Sequence, residues 1–229
     1  MHAYTGLSPI IKRWAGQFLI TIDYSGSNAK GTAVRGGTDV DLFISLAPTT
    51  PDGLRQVHET LREQLRTSGY TSRSQNVSVR LSFDGISVDL VPGKKQAWLG
   101  NDHSLYCSKT DTWRQTDIKK QIAHVKNSWR VNEIRALKIW RNLHGLDFPS
   151  FYLELIVIQA LGQRPIAHLA DNIWQALRFI AEDFPDARVE DPANTNNIIS
   201  DDLTIAEKNA IASQASSSLM KSNWSQIIW

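Results

Sequence analysis

The 229-residue sequence has only one cysteine, Cys107, and almost no excess of either charge. A single cysteine cannot form an internal disulfide, which favours a reducing compartment. The 25 lysines and arginines against 23 acidic residues leave a net charge of +2, so any nucleic-acid-binding surface must be local. No apolar run approaches the roughly 20 residues that span a bilayer, and residues 1–6 show no secretion signal. We therefore expect a cytoplasmic protein of one or two domains with a substantial core.

The sharpest chemical pattern is a Gly-Ser pair followed by two closely spaced aspartates. Gly26 and Ser27 follow a β-like run, and Asp39 and Asp41 come later beside an apolar run. Because side chains alternate along a strand, both carboxylates project from one face while apolar residues bury the other. A hard divalent cation relieves the repulsion between them, since Mg²⁺ takes oxygen ligands and shares them with substrate phosphates. Gly26 allows close approach of the backbone to a ligand, and Ser27 adds donors for phosphate oxygens.

A third carboxylate is predicted on a β-hairpin further along the chain. Apolar and polar residues alternate on both sides of Asp84-Gly85, which is the strongest short signal for a hairpin. Asp89 lies on the polar face of the second arm. If this hairpin pairs with the strand of Asp39 and Asp41, three carboxylates converge as catalytic residues and metal ligands. Such a site holds two metal ions roughly 3.5–4 Å apart.

These motifs resemble the DNA polymerase beta nucleotidyltransferase superfamily. Residues Ser25–Thr32 and Gly37–Asp41 are most similar to the branch that holds oligoadenylate synthetases, bacterial cyclic-oligonucleotide synthases (CD-NTases) and archaeal-type CCA-adding enzymes. The alternative to a catalytic motif is that the serine caps a helix and the aspartates lie in turns. The resemblance covers roughly residues 8–215 and is weaker in the C-terminal half.

The resemblance implies an α/β (α+β) fold in two parts. A nucleotidyltransferase catalytic core, with a mixed sheet and flanking helices, is expected over residues 1–115. A helical subdomain that completes the nucleotide cleft is expected over residues 116–229, where the composition becomes helical.

The resemblance also implies nucleotide-binding roles for several residues. Lys30 either supports triphosphate binding or is a solvated loop lysine. Lys138 lies on or beside an apolar helix face, where it needs an anion or must reach solvent, and family members place a lysine of this helix on the triphosphate. Ser150 is a natural N-cap at a helix end that favours anions, and the corresponding serine contacts triphosphate in oligoadenylate synthetases and poly(A) polymerases. Tyr152 either stacks on the base or lies in the core.

Other residues receive structural interpretations. Glu154 lies in a very apolar helix and is expected to pair with a buried cation, and Trp140 is expected in the core. Lys94 and Lys95 are expected on an exposed turn, with a nucleic-acid contact as the alternative. Residues 191–197 resemble an Asp-Pro loop of oligoadenylate synthetases that lies near the nucleotide end of the cleft.

Local signals predict where helices begin. Ser8-Pro9 and Thr50-Pro51 have the composition of helix starts. Thr204 and Glu207 form a capping-box pattern, and residues 172–184 have the pattern of an amphipathic helix.

The implied reaction is template-independent transfer of nucleotides with release of pyrophosphate. Asp39 and Asp41 would hold two Mg²⁺ ions, with Mn²⁺ as an alternative, while Asp89 would bind the metal that activates the attacking hydroxyl and accept its proton. Gly26 and Ser27 would hold the triphosphate, so that catalysis consists mostly of positioning and charge neutralisation.

Three functions compete at this point. The first is synthesis of a linear or cyclic oligonucleotide signal from ATP or other (d)NTPs, which switches on an effector protein in bacterial antiviral defence. The second is tailing of a nucleic-acid or oligonucleotide acceptor, as in CCA or poly(A) addition, or nucleotidylation of a protein or small molecule. The third is a nucleotide-binding module without activity, which three intact aspartates disfavour. The chain is short for the family and shows no RNA-binding module, so we favour the first function and expect no membrane partner.

Overall fold

The computed structural model describes residues 2–35 and 39–228. It forms two compact units, one of Met1–Ala29 with Thr38–Lys120 and the other of Lys30–Gly37 with Gln121–Trp229. Two residues of the motif that carries the resemblance, Gly37 and Thr38, lie outside the described residues. The predicted α/β fold with a mixed sheet is confirmed. The predicted division after residue 115 and the roles given to the two halves remain predictions.

In the described residues, the first unit contains a seven-stranded mixed sheet. Its strands are β1 (Leu19–Tyr24), β2 (Val40–Leu46), β3 (Ser72–Ser74), β4 (Val79–Phe83), β5 (Ile86–Lys95), β6 (His103–Cys107) and β7 (Thr112–Thr116). The order is β1-β2-β5-β4-β3, with β6 paired to β5 and β7 to β6. Strands β2 and β5 run parallel, and the other neighbours are antiparallel. This parallel pair lies at the centre of the candidate site.

The core of the first unit joins the sheet to helices α1 (His2–Ala15) and α3 (Leu54–Thr67). A five-residue helix, α2 (Gly26–Lys30), follows β1, and α4 (Ile118–Asn127) follows the sheet. Val57, Leu61 and Leu65 form a buried stripe along α3 in this core. From β2, Leu42 and Ile44 enter the same core, as strand alternation requires.

Two predicted helix starts are wrong. Helix α1 begins at His2 and contains the proline that was expected to open it, while the Ser8 hydroxyl donates to the Tyr4 carbonyl at 2.6 Å. Helix α3 begins after Gly53, and the Thr50 hydroxyl donates to the Ala47 carbonyl at 2.7 Å. In both places a local hydroxyl–carbonyl bond replaces the expected capping interaction.

The hairpin at Asp84-Gly85 is confirmed. Both turn residues have left-handed backbone angles, with φ of 49° and 77°, as a two-residue turn of type I′ requires. The expected exposed turn after this hairpin is wrong, because β5 continues through Lys94 and Lys95. Their ammonium groups donate to the carbonyls of Thr50 and Trp98. The β6–β7 hairpin was not predicted, since its polar sequence gave no clear alternation.

The second unit packs its helices around a separate core. Its elements are α5 (Val131–Leu143), α6 (Ser150–Leu161), α7 (Leu169–Glu182), α8 (Ile205–Leu219) and a hairpin of β8 (Glu190–Asp191) and β9 (Asn194–Ile198). Trp140 is fully buried and donates to the Ser218 hydroxyl, which confirms its core position. The capping box of Thr204 and Glu207 is also confirmed. Among the described residues, every helix is too short or too polar to cross a membrane.

The buried stripe on α3 gives a stability prediction. Leu61→Ala removes a fully buried side chain, so we expect the free energy of unfolding to fall by about 2–5 kcal/mol. Leu99→Ala is the control. Because Leu99 is 90% exposed, this substitution should change the free energy of unfolding by less than about 0.5 kcal/mol. Urea unfolding of both variants measures the difference, and equal losses would contradict the assigned core.

Candidate active site

Two neighbouring strands bring the predicted carboxylates together. In the parallel β2–β5 pair, Asp41 stands directly beside Asp89, which confirms the predicted pairing of the hairpin with this strand. Asp39 comes one residue before β2 and two before Asp41, so it projects from the same face. The Asp89 side chain is buried, whereas that of Asp39 is 42% exposed. The sheet register therefore concentrates negative charge at one place.

A positive side chain that the sequence analysis missed lies on these carboxylates. Arg80 on β4 is the register partner of Asp89. Its Nε and Nη2 donate to Asp89 Oδ1 and Oδ2 at 2.9 and 2.5 Å, and Nη2 also lies 2.7 Å from Asp39 Oδ2. The hydrogen bond to Asp89 raises the pKa of Arg80, and the charges of Asp89, Asp39 and Asp41 add to this effect against the cost of burial. In a hairpin with a two-residue turn at Asp84-Gly85, positions 80 and 89 lie opposite each other. The pairing of Arg80 with Asp89 could therefore have been predicted from the sequence.

Gly26 is required because the backbone passes very close to a carboxylate. Its φ is 56°, and a Cβ at this position would lie 1.8 Å from Asp41 Oδ2. The Ser25 amide donates to the Asp41 carbonyl at 2.9 Å, which fixes the approach of the two segments. Ser27 follows in the first turn of α2 and is half-buried. The structure thus brings the Gly-Ser pair next to the aspartates.

The donor set fits a hard divalent cation. All three side chains offer carboxylate oxygens, and one nitrogen of Arg80 already contacts an oxygen of both Asp39 and Asp89, so a single cation can be shared by them. In the part of the chain that the structure describes, no three His, Cys, Asp or Glu side chains are gathered closely enough to hold an ion. The metal site of Asp39, Asp41 and Asp89 therefore remains a prediction.

In the second unit, Glu154 is the centre of a buried polar cluster. Its Oε2 accepts from Lys30 Nζ at 2.9 Å, and its Oε1 accepts from Lys138 Nζ and from the Thr32 hydroxyl, both at 2.6 Å. Lys138 Nζ also donates to Thr32 Oγ1 at 3.0 Å, and Lys30 Nζ lies 4.0 Å from the centre of the Phe151 ring. The expected pairing of Glu154 with a buried cation is confirmed.

The charges in this cluster stabilise one another. Burial opposes ionisation of Glu154, but the charges of Lys30 and Lys138 and the hydrogen bonds from Lys138 and Thr32 outweigh it and lower the pKa of the carboxyl. Burial lowers the pKa of Lys138, and Glu154 opposes that shift. Two ammonium groups share one carboxylate, so the cluster keeps one positive charge. The alternative that Lys30 is a solvated lysine is wrong, and the nucleotide-binding roles of both lysines remain predictions.

The two remaining predicted residues lie on α6. The N-cap position is occupied by Pro149, so the prediction that Ser150 caps this helix is wrong. The Ser150 hydroxyl instead accepts from Arg141 at 3.1 Å. Tyr152 is fully buried against Phe184, and burial raises the pKa of its hydroxyl to about 12, with Asp202 and Asp201 adding to this shift. The burial favours the core alternative for Tyr152, and the nucleotide-binding roles of both residues stay predictions.

Comparison with known proteins identifies related sequences and folds. Residues 10–128, just over half of the chain, match the family model of the Second Messenger Oligonucleotide or Dinucleotide Synthetase domain, SMODS. The Cyclic AMP-AMP-AMP synthase of Escherichia coli (strain MS 115-1) is 28% identical to this chain over 165 residues. The match covers 65% of this chain and 49% of that protein, so the chain spans about half the length of this curated relative.

Two solved structures show the same fold at low sequence identity. The Bradyrhizobium diazoefficiens CD-NTase CdnG in complex with GTP superposes with a TM-score of 0.78 at 15% identity, covering 95% of this chain and 83% of that one. E. coli MS115-1 CdnC with ATP gives a TM-score of 0.68 at 21% identity, covering 95% and 82%. These similarities establish the fold of this chain.

The approach of Gly26 to Asp41 gives a prediction with a matched control. Gly26→Ala forces a Cβ against the carboxylate and should displace it. We expect Mn²⁺ binding to weaken by roughly tenfold, which corresponds to a loss of about 1.4 kcal/mol. Gly16→Ala is the control: Gly16 has a similar φ of 53° but nothing within 4 Å of a Cβ, so only the backbone penalty of roughly 1–2 kcal/mol applies. Calorimetric Mn²⁺ titration and thermal unfolding of both variants check this. Equal Mn²⁺ affinities would show that the close approach has no bearing on the carboxylates.

The buried cluster gives a stability prediction. Glu154→Gln leaves two buried lysines without a carboxylate, so the free energy of unfolding should fall by roughly 3–5 kcal/mol. Glu182→Gln is the control: it breaks an exposed ion pair with Arg178, so it should leave the free energy of unfolding almost unchanged.

The same variant tests the pH dependence of stability. Because the folded-state pKa of Glu154 is lowered, its stabilisation is present above the ordinary glutamate pKa and is lost as the pH falls through the lowered value. Urea titrations across the acid range should show this loss in the original protein and a smaller one in Glu154→Gln. Identical pH profiles would contradict the assigned pairing.

Proposed function

The chain belongs to the Second Messenger Oligonucleotide or Dinucleotide Synthetase domain family, and we propose that it joins nucleoside triphosphates into an oligonucleotide signal with release of pyrophosphate. The observation that carries the proposal is the strand register that places Asp41 beside Asp89, with Asp39 on the same face. The 28% identity to a cyclic AMP-AMP-AMP synthase supports ATP as the first substrate to test, with GTP and the other (d)NTPs after it.

The family depends on divalent metal ions, and we propose two Mg²⁺ ions, replaceable by Mn²⁺, held by Asp39, Asp41 and Asp89. When bound, the ions supply charge neutralisation for the triphosphate and polarise the attacking hydroxyl. Asp89 accepts the proton of that hydroxyl. Its burial beside Arg80 keeps bulk water away from its oxygens and fixes their direction.

The remaining residues position the nucleotide. Gly26 lets the backbone pass close to the carboxylates, and Ser27 offers a hydroxyl and an amide to phosphate oxygens. We retain Lys30, Lys138, Ser150 and Tyr152 as proposed nucleotide-binding residues of the second unit. The net positive charge of the Glu154 cluster and the Arg141–Ser150 contact support an anion-binding role, while the burial of Tyr152 gives its proposed base contact the least support.

We further propose that the product acts on a downstream effector protein in bacterial antiviral defence, and that synthesis takes place in the cytoplasm. The family description, a second-messenger synthetase, supports the signalling role.

A labelling experiment tests the reaction. The purified protein is incubated with Mg²⁺ or Mn²⁺ and each α-labelled NTP and dNTP, with and without RNA, and the products are treated with phosphatase and nuclease. We expect acceptor-free oligomers from ATP, and no product from Asp39→Ala/Asp41→Ala or from Asp89→Asn, because each variant removes carboxylate charge needed for the transfer.

The outcomes separate the competing functions. Phosphatase-resistant oligomers would indicate a cyclic product or a blocked end. Label that appears only on added RNA or on protein would overturn signal synthesis in favour of a tailing or nucleotidylating enzyme. Activity that survives in Asp89→Asn would remove Asp89 from the mechanism.

A further inference from the structure

A row of charged side chains crosses the sheet of the first unit. Strand register places Arg73 of β3 beside Arg80 of β4, Arg80 beside Asp89 of β5, and Asp89 beside Asp41 of β2. Register partners lie on the same face of a sheet. Arg80 therefore stands between a second arginine and the carboxylates, and it is the member of the row that bridges Asp89 to Asp39.

We propose that Arg80 is a positioning residue that competes with the metal: its guanidinium takes the cation's place on Asp39 and Asp89 in the metal-free protein and gives up the Asp39 contact when a divalent ion binds. The proposal rests on the metal site of the proposed function. It adds a role for a residue that neither the motif nor the family resemblance identified.

Arg80 has a clear structural task without metal. Asp89 is buried, and an unpaired buried carboxylate is costly. The planar guanidinium binds both Asp89 oxygens at once, an arrangement that a lysine cannot reproduce. The contact of the same Nη2 with Asp39 holds the second carboxylate in place against repulsion from its neighbours. In the metal-free protein, Arg80 thus offsets the repulsion between Asp39 and Asp89.

Because of the same geometry, the Arg80 guanidinium and a divalent metal ion cannot both bind between Asp39 and Asp89. Nη2 contacts Oδ2 of both Asp39 and Asp89, so a metal ion shared by these two carboxylates would compete with it for their oxygens. Two positive charges on the same oxygens also repel each other. Binding of a divalent ion should therefore require Arg80 to move from Asp39, while its Nε can keep the bond to Asp89 Oδ1.

The test measures Mn²⁺ binding to metal-free protein and does not depend on catalysis. We expect Arg80→Gln to bind Mn²⁺ roughly tenfold more tightly than the original protein, because one competing positive charge is removed. Arg80→Lys keeps the charge but cannot bind both Asp89 oxygens at once, so its affinity should lie between those of the original protein and Arg80→Gln. Free Mn²⁺ is followed by electron paramagnetic resonance during titration.

Arg73→Ala is the matched control. It removes the same charge one strand further from the carboxylates, from an exposed side chain that forms no ion pair among the described residues. Its Mn²⁺ affinity should change less than about twofold, because exposed charges are screened by solvent. The Asp39→Ala/Asp41→Ala double variant should lose Mn²⁺ binding.

Thermal unfolding gives a second readout. In EDTA, Arg80→Gln should unfold at a lower temperature than the original protein and than Arg73→Ala, and saturating Mn²⁺ should restore most of the difference. Cooperative unfolding of Arg80→Gln, or of Arg80→Lys if the former does not fold, establishes that the comparison uses folded protein.

The outcomes are distinguishable. Mn²⁺ affinity in Arg80→Gln equal to or weaker than in Arg73→Ala would overturn the competition while leaving the metal site intact. If Arg80→Gln does not fold, Arg80→Lys decides the question: tighter Mn²⁺ binding than in the original protein supports the competition, and equal or weaker binding overturns it. Absence of Mn²⁺ binding in the original protein and in every variant would overturn the metal site and the competition together.

Discussion

The parallel pairing of β2 with β5 concentrates negative charge, and the candidate site depends on that pairing. Its register sets Asp41 beside Asp89, and strand alternation brings Asp39 to the same face. Carboxylates this close repel one another, so the arrangement needs compensation. The burial of the apolar face of β2 in the core and the contacts of the Arg80 guanidinium with Asp39 and Asp89 both contribute to it. Stability and function are therefore linked, because the same carboxylates that a metal-dependent reaction needs are costly for the fold to hold close together.

In the second unit the charges are reversed, because positive groups surround a single negative one. There a single carboxylate, Glu154, is surrounded by Lys30, Lys138 and Thr32 in a buried cluster. Buried ion pairs contribute little net stability, but removing one partner leaves an uncompensated charge, which makes the geometry hard to change. The cluster therefore ties the segment that follows the Gly-Ser pair to helices α5 and α6.

The extent of the family match clarifies how the site assignments are supported. Residues 10–128 contain the Gly-Ser pair, all three aspartates and Arg80, and the match ends one residue after α4. The roles proposed for Lys138, Ser150 and Tyr152 lie beyond it and depend on the motif resemblance and on their surroundings in the second unit. The carboxylates and the Gly-Ser pair therefore carry the proposed function, and the residues of α5 and α6 refine it.

The sequence by itself determined the features whose causes are local. The Asp84-Gly85 turn, the capping box at Thr204 and the spacing of Asp39 and Asp41 each depend on neighbouring residues, so each was predictable. The start of α3 was missed, although it too is local, because the Thr50 hydroxyl bonds a nearby carbonyl instead of capping the helix.

Only the tertiary structure decided which charges meet. Lys30 and Glu154 are 124 residues apart, and no pattern in the sequence distinguished a buried partner for Lys30 from solvent. The contact of Arg80 with Asp39 likewise requires β4, β5 and β2 to be placed side by side. Turn and capping chemistry acts over a few residues, whereas the choice of an ion-pair partner depends on how the whole chain packs.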